Sequence, residues 1–176
     1  MLIDRLFRPR AAHAAGRALY ARVVEQSRKA ELYAALGAPD TVEGRFEIYT
    51  LHLVLLLERL QGVEDPAAET GQALFDAYLS ALDDALRELG VGDLSVGKKM
   101  RRLGEAFYGR VKSYLAAIAA LPDQAPLTAL LGRTVYDGAD AAKAPALVGY
   151  VLAQRTALAA QPLAALLAGE VTWASR

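Results

Sequence analysis

An all-α, single-domain bundle of about six to seven helices is the fold class this chain predicts, and three observations carry it. Apolar residues recur at three- and four-residue steps through most of the length. The breaks between those runs carry Gly and Pro, and no stretch alternates apolar and polar side chains as a strand does. The length of 176 residues fits one domain, and a chain of that size buries roughly 70% of its unfolded surface without a staple. With no cysteine in the sequence, disulfides, thiolate nucleophiles and cysteine-ligated metals are excluded.

Residues 1–10 read as an N-terminal arm and residues 11–176 as the helical domain. Pro9 suits a helix start, after which Leu19, Tyr20, Val23, Val24, Leu32 and Leu36 continue the spacing to Gly37, as one helix or two. Gly37-Ala38-Pro39-Asp40 is a break, with Asp40 or Thr41 placed to cap the next helix, from about Thr41 to Leu60. Its apolar run from Ile48 to Leu57 includes Thr50 and His52 and is far shorter than the roughly twenty residues of a bilayer crossing. It reads as a buried core helix.

Gln61-Gly62-Val63-Glu64-Asp65-Pro66 breaks the chain again, with Pro66 at the first turn of a third helix. There Phe75, Tyr78, Leu79, Leu82, Leu86 and Leu89 line one face, while Asp76, Asp83, Asp84, Arg87 and Glu88 face water. Val96, Met100, Leu103, Phe107, Val111, Tyr114 and Ile118 repeat the pattern in a fourth helix that stops before Pro122. A short piece at Leu127–Leu131, a turn at Tyr136-Asp137-Gly138, and helices near Ala146–Ala160 and Leu163–Ala168 complete the chain.

Twenty basic residues balance twenty acidic ones, so no net field draws the molecule to nucleic acid, and DNA is not an expected partner. His13 and His52 lie on different predicted helices with no carboxylate at metal-ligand spacing. No metal, cofactor or catalytic residue is therefore expected, and His52 belongs in or near the core. The N-terminal Leu2, Ile3, Leu6 and Phe7, interleaved with Arg5, Arg8 and Arg10, suit either a membrane surface or packing on the domain. They lack the apolar core and cleavage site of a secretory signal, which favours a cytoplasmic protein.

The segment from Asp83 to Arg110 holds most of the remaining information. An acidic-faced helix ends at Gly90-Val91-Gly92, and a basic one begins near Ser95. Gly97 and Gly104 flank the apolar sector of the basic helix, each costing about 1 kcal/mol relative to Ala. Either another helix of the domain packs closely there, or a groove receives a segment of another protein. Lys98, Arg101, Arg102 and Lys112 point away from that sector, whereas Lys99 and Arg110 sit at its border with stems able to lie on apolar surface. Gly92-Asp93-Leu94-Ser95-Val96-Gly97-Lys98-Lys99 also matches a phosphate-binding loop except at its last position. Such a loop follows a strand, and here a helical pattern precedes it. A nucleotide-binding helical factor using Gly92 to Lys98 is the alternative function, and a generic helical adaptor a third.

Leu86, Gly90-Val91-Gly92-Asp93-Leu94-Ser95-Val96-Gly97, Met100, Gly104 and Phe107-Tyr108-Gly109-Arg110 resemble the signature of the ubiquinol-cytochrome c chaperone family. The likeness extends more loosely over residues 36–167. It implies a non-enzymatic assembly chaperone that binds and shields newly synthesised cytochrome b during biogenesis of ubiquinol-cytochrome c reductase. It further implies the ribosome or a small partner protein as a second contact, peripheral contact with the inner membrane, and no cofactor. On this resemblance Asp93, Gly97, Lys98, Lys99, Arg102, Gly104, Phe107, Tyr108 and Arg110 form the expected protein-binding surface. Exchanging Lys99 and Arg110 for Glu is expected to leave the fold intact and to lower cytochrome b accumulation.

Overall fold

The computed structural model describes residues 2–62, 66–88, 93–138 and 140–175. The architecture is all-α, with no strand among the described residues. The helices are α1 (Leu2–Ser27), α2 (Ala30–Ala34), α3 (Val42–Leu60), α4 (Ala67–Glu88), α5 (Asp93–Ala119), α6 (Ala125–Thr134), α7 (Ala144–Ala160) and α8 (Leu163–Leu167), with a 3-10 turn at Ala141–Lys143 before α7. The six longest have ten residues or more, close to the expected number.

Local chemistry sets most of these boundaries. Thr41 caps α3, its Oγ1 accepting the Gly44 N–H at 3.1 Å. Pro66 stands just before α4, and its carbonyl accepts both the N–H and the hydroxyl of Thr70 at 3.0 Å. Prolines occupy the first turns of α6 and α7, where a missing N–H costs nothing. Asp137 and Gly138 both take positive φ in the expected turn. One boundary differs from expectation. α1 begins at Leu2 and runs through Pro9, so residues 2–10 are its first turns rather than an arm. The fixed φ of proline is itself helical, and the ring removes one backbone bond without dictating a helix end.

α3 is the central element, with α1, α4, α5 and α7 packed around it. Ile48, Leu51, Leu53, Val54, Leu55 and Leu56 are fully buried, as the apolar run predicted, because a helix apolar on every side must be covered on every side. α1 crosses α4 at Gly16, where a Cβ would lie 2.5 Å from the Ala73 carbonyl carbon, so any side chain would wedge the two helices apart. α3 is tied to the C-terminal end of α7 by polar contacts. Arg155 grips Glu58 at 2.6 and 2.9 Å, and Arg59 donates to the carbonyls of Leu158 and Gln161 at 3.1 Å, at the helix end where carbonyls run short of intrahelical donors.

A polar network lies inside this core. Nδ1 of His52 is 2.8 Å from the Ile48 carbonyl, which only accepts, so Nδ1 carries the proton. Nε2 then accepts from the Tyr150 hydroxyl at 2.7 Å, and that oxygen accepts from Gln26 Nε2 at 2.8 Å. Ser27 Oγ lies 3.1 Å from Nδ1. Complete burial pushes the His52 pKa down to about 4, so the ring is neutral. His52 is thus the core residue its surroundings in the sequence suggested.

Candidate functional site

The middle of α5 presents two consecutive aromatic residues to different environments. Phe107 is 1% exposed and packs on Phe75 and Tyr78, with ring centroids 5.0 and 4.9 Å apart. Tyr108, about 100° further round the helix, is 63% exposed and touches Phe75 at 5.3 Å. One aromatic anchors α5 to α4; the next stands at the rim of a groove.

That groove has a volume of about 370 Å³ and lies between the C-terminal end of α3, the first half of α4 and the middle of α5. Leu57, Leu60, Gly71, Phe75, Phe107 and Val111 supply apolar lining, and Gln61, Gln72 and Tyr108 supply polar atoms. Among the described lining residues there is no Asp, Glu, Lys, Arg or His, so they bring no carboxylate, imidazole or cation for proton transfer or ion binding. Its chemistry suits apolar side chains. Among the described residues, no group of three or more His, Asp or Glu is placed to hold a metal ion.

Gly97, Gly104 and Gly109 lie along the same helix, and a Cβ built on any of them meets no described atom within 4 Å. Close packing by another helix of the chain, one of the two readings of this flank, is therefore not what the described residues provide. The glycines weaken α5 by about 1 kcal/mol each, with no packing from the described residues to offset it.

The remaining residues of the expected surface are spread along α5. Asp93 starts the helix, but the side chains of Asp93, Lys98 and Lys99 lie outside the described residues, as does the whole Gly90-Val91-Gly92 corner. Arg102 is exposed. Its neighbour Arg101 approaches Glu105 at 4.0 Å with both side chains more than two-thirds exposed, a contact worth little. Arg110 points the other way, into a three-bond ion pair with Glu47 of α3 at 2.7 to 2.9 Å. Hydrogen bonding to that carboxylate raises the pKa of the guanidinium. The structure thus brings Phe107 and Tyr108 together at the groove and leaves Gly97, Arg102 and Gly104 as an open stretch of α5 outside it. The α3 and α4 walls were missed by sequence reasoning. Their only local sign is Gly71 in the small-residue stretch that opens α4.

Residues 93–99 are helical, and α4 precedes them, so the segment resembling a phosphate-binding loop has no described strand feeding it.

Comparisons with known proteins agree with this architecture. The profile of a family described as Ubiquinol-cytochrome C chaperone matches residues 34–173. The chain belongs to the ubiquinol-cytochrome c chaperone family. Its structure is similar to the crystal structure of the Cbp3 homolog from Brucella abortus, at 34% sequence identity and a TM-score of 0.86, covering 99% of this chain and 97% of that one. No curated protein sequence matches the chain. The family match takes in α3 to α8 and all the groove residues, while the whole of α1 and most of α2 precede it. The fold of this family member, α1 included, is nonetheless shared with the Brucella protein over nearly its full length.

Proposed function

We propose that the chain binds and shields newly made cytochrome b while ubiquinol-cytochrome c reductase is assembled, and transforms no substrate. The observation that carries this reading is the apolar groove, with no charged side chain among its described lining residues and the exposed Tyr108 at its rim. A membrane protein made before its partners arrive exposes apolar helices, and a groove of this kind takes the side chains of one helix face. Chaperone family membership and the Cbp3 likeness support the choice of client. The exposed Arg101 and Arg102 next to the open glycine flank give α5 a cationic end, suited to an anionic surface such as lipid head groups or ribosomal RNA. No helix among the described residues is long and apolar enough to cross a membrane, so any membrane contact by them is peripheral.

Ala68 lines the groove and is exposed, so Ala68→Glu and Tyr108→Asp each put a charge where the client would bury apolar surface, with little effect on the fold. In cells that depend on this chain, the variant proteins should accumulate normally while assembled cytochrome b falls. A photo-crosslinking residue at Tyr108 should capture cytochrome b. Normal cytochrome b in both variants, with no crosslink, refutes the assignment.

A further inference from the structure

The C-terminal residues of the chain lie against α7. Gln161, just past its last turn, donates from Nε2 to the Thr172 carbonyl at 2.8 Å and accepts the Thr172 N–H at 2.7 Å. Gln154, two turns earlier, accepts the Ala174 N–H at 2.8 Å and donates to the Ala174 carbonyl at 3.4 Å. A primary amide has the same donor and acceptor as a peptide group, so each glutamine offers what the edge of a strand offers. Residues 172 and 174 turn their N–H and C=O to one side, as alternate residues of an extended chain do. All four contacts read backbone, and none depends on the side chain of Thr172 or Ala174.

Trp173, between them, supplies the side-chain anchor. Its ring stands at 89° to the His52 ring with centroids 5.3 Å apart, against the polar network of the core. Its indole Nε1 is buried with no hydrogen-bond partner among the described residues. Gln154 is 1% exposed. Buried polar side chains are costly unless their atoms are used, and the backbone of Ala174 engages both ends of this amide.

We propose that Gln154 and Gln161 form a slot for an extended peptide segment with an aromatic anchor, filled here by residues 172–174 and open to a segment of another polypeptide when the tail lifts. The inference rests on α7, the tail and His52 in the buried middle of α3, and stands apart from the groove between α3, α4 and α5, whatever client that groove takes.

A full-length variant carrying Thr172→Pro and Ala174→Pro loses both tail N–H donors. Offered a fluorescent peptide with the sequence of residues 170–175, it should bind about tenfold or more tighter than the unmodified chain, whose own tail competes. Adding Gln154→Ala and Gln161→Ala, or replacing the tryptophan of the peptide by alanine, should abolish that gain. A folded proline variant that does not bind the peptide, or binding indifferent to the glutamines, overturns the proposal. Hydrogen exchange on the unmodified chain decides the matter independently of those variants. The Thr172 and Ala174 amides should exchange about a hundredfold or more faster than the α3 core, because the tail lifts without global unfolding. Exchange at the α3 rate would make the tail a fixed part of the core and end the idea.

Discussion

Arg110 and Glu47, sixty-three positions apart in sequence, are joined by three N–H···O contacts of 2.7 to 2.9 Å. The carboxylate side chain is only 9% exposed and the arginine 37%, so the pair fastens α5 to α3 at the edge of the core. Arg110→Glu would set two carboxylates against each other there, and a loss of about 2–4 kcal/mol is expected, part of the cost of breaking a buried pair because one partner is half in water. Urea denaturation measures it, and a midpoint equal to wild type would show the pair to be unimportant. The expectation that Arg110→Glu leaves the fold intact is therefore replaced. A loss of cytochrome b in that variant would report on folding, so Arg102, exposed and clear of the core, is the better probe of a cationic surface.

Phe107→Ala should destabilise the chain by about 3–5 kcal/mol, since it empties the space against Phe75 and Tyr78 at the centre of the α4 and α5 contact. Tyr108→Ala, one residue on, should cost less than about 1 kcal/mol in the same measurement. Equal losses would mean that the two aromatics are equally buried.

Gly104→Ala and Gly109→Ala should each stabilise by about 1 kcal/mol, raising Tm by about 2–4 °C, because a methyl group there meets no described neighbour. If the open flank receives a client, the same substitutions should lower cytochrome b accumulation although the chaperone itself is more stable. A fall in Tm would reveal a close neighbour within the chain.

Stability should depend on acid through His52. Its pKa is about 4 in the folded chain and near the ordinary 6.5 when unfolded, so between those values the unfolded state binds the extra proton. The contribution is complete above about pH 6.5 and is lost as pH falls toward 4, by up to roughly 3 kcal/mol. Urea midpoints taken at pH 7.5 and pH 5 should separate for the natural chain and draw together for His52→Gln. An unchanged difference in that variant would place the proton uptake elsewhere.

Much of the helical plan was legible in neighbouring residues. The caps and breaks at Thr41, Pro66 and Asp137-Gly138 act on the backbone within four residues of themselves, so their effect survives any tertiary arrangement. The run from Ile48 to Leu57 announced a core helix for the same reason: its composition leaves it no wet face. Pro9 misled because proline signals a boundary only statistically, and the helix it interrupts loses a single bond. The expected binding surface was legible only in part. Helical period put Phe107 in the apolar stripe of α5 and left Tyr108 outside it, as the structure has them, but which residues of α3 and α4 face them depends on where those helices cross, and no local signal encodes a crossing.

The amino-acid sequence on its own determined an all-helical chain, its main breaks, its buried helix from about Thr41 to Leu60 and the family resemblance centred on Gly90 to Arg110. Tertiary structure alone decided that Arg110 belongs to Glu47, that Leu57, Gly71 and Phe75 complete a groove beside Tyr108, and that Gln154 and Gln161 hold the tail. The division has one physical cause. Helix formation and capping are settled by residues within a turn of one another, whereas pairing across helices depends on angles and registers that the whole core sets at once.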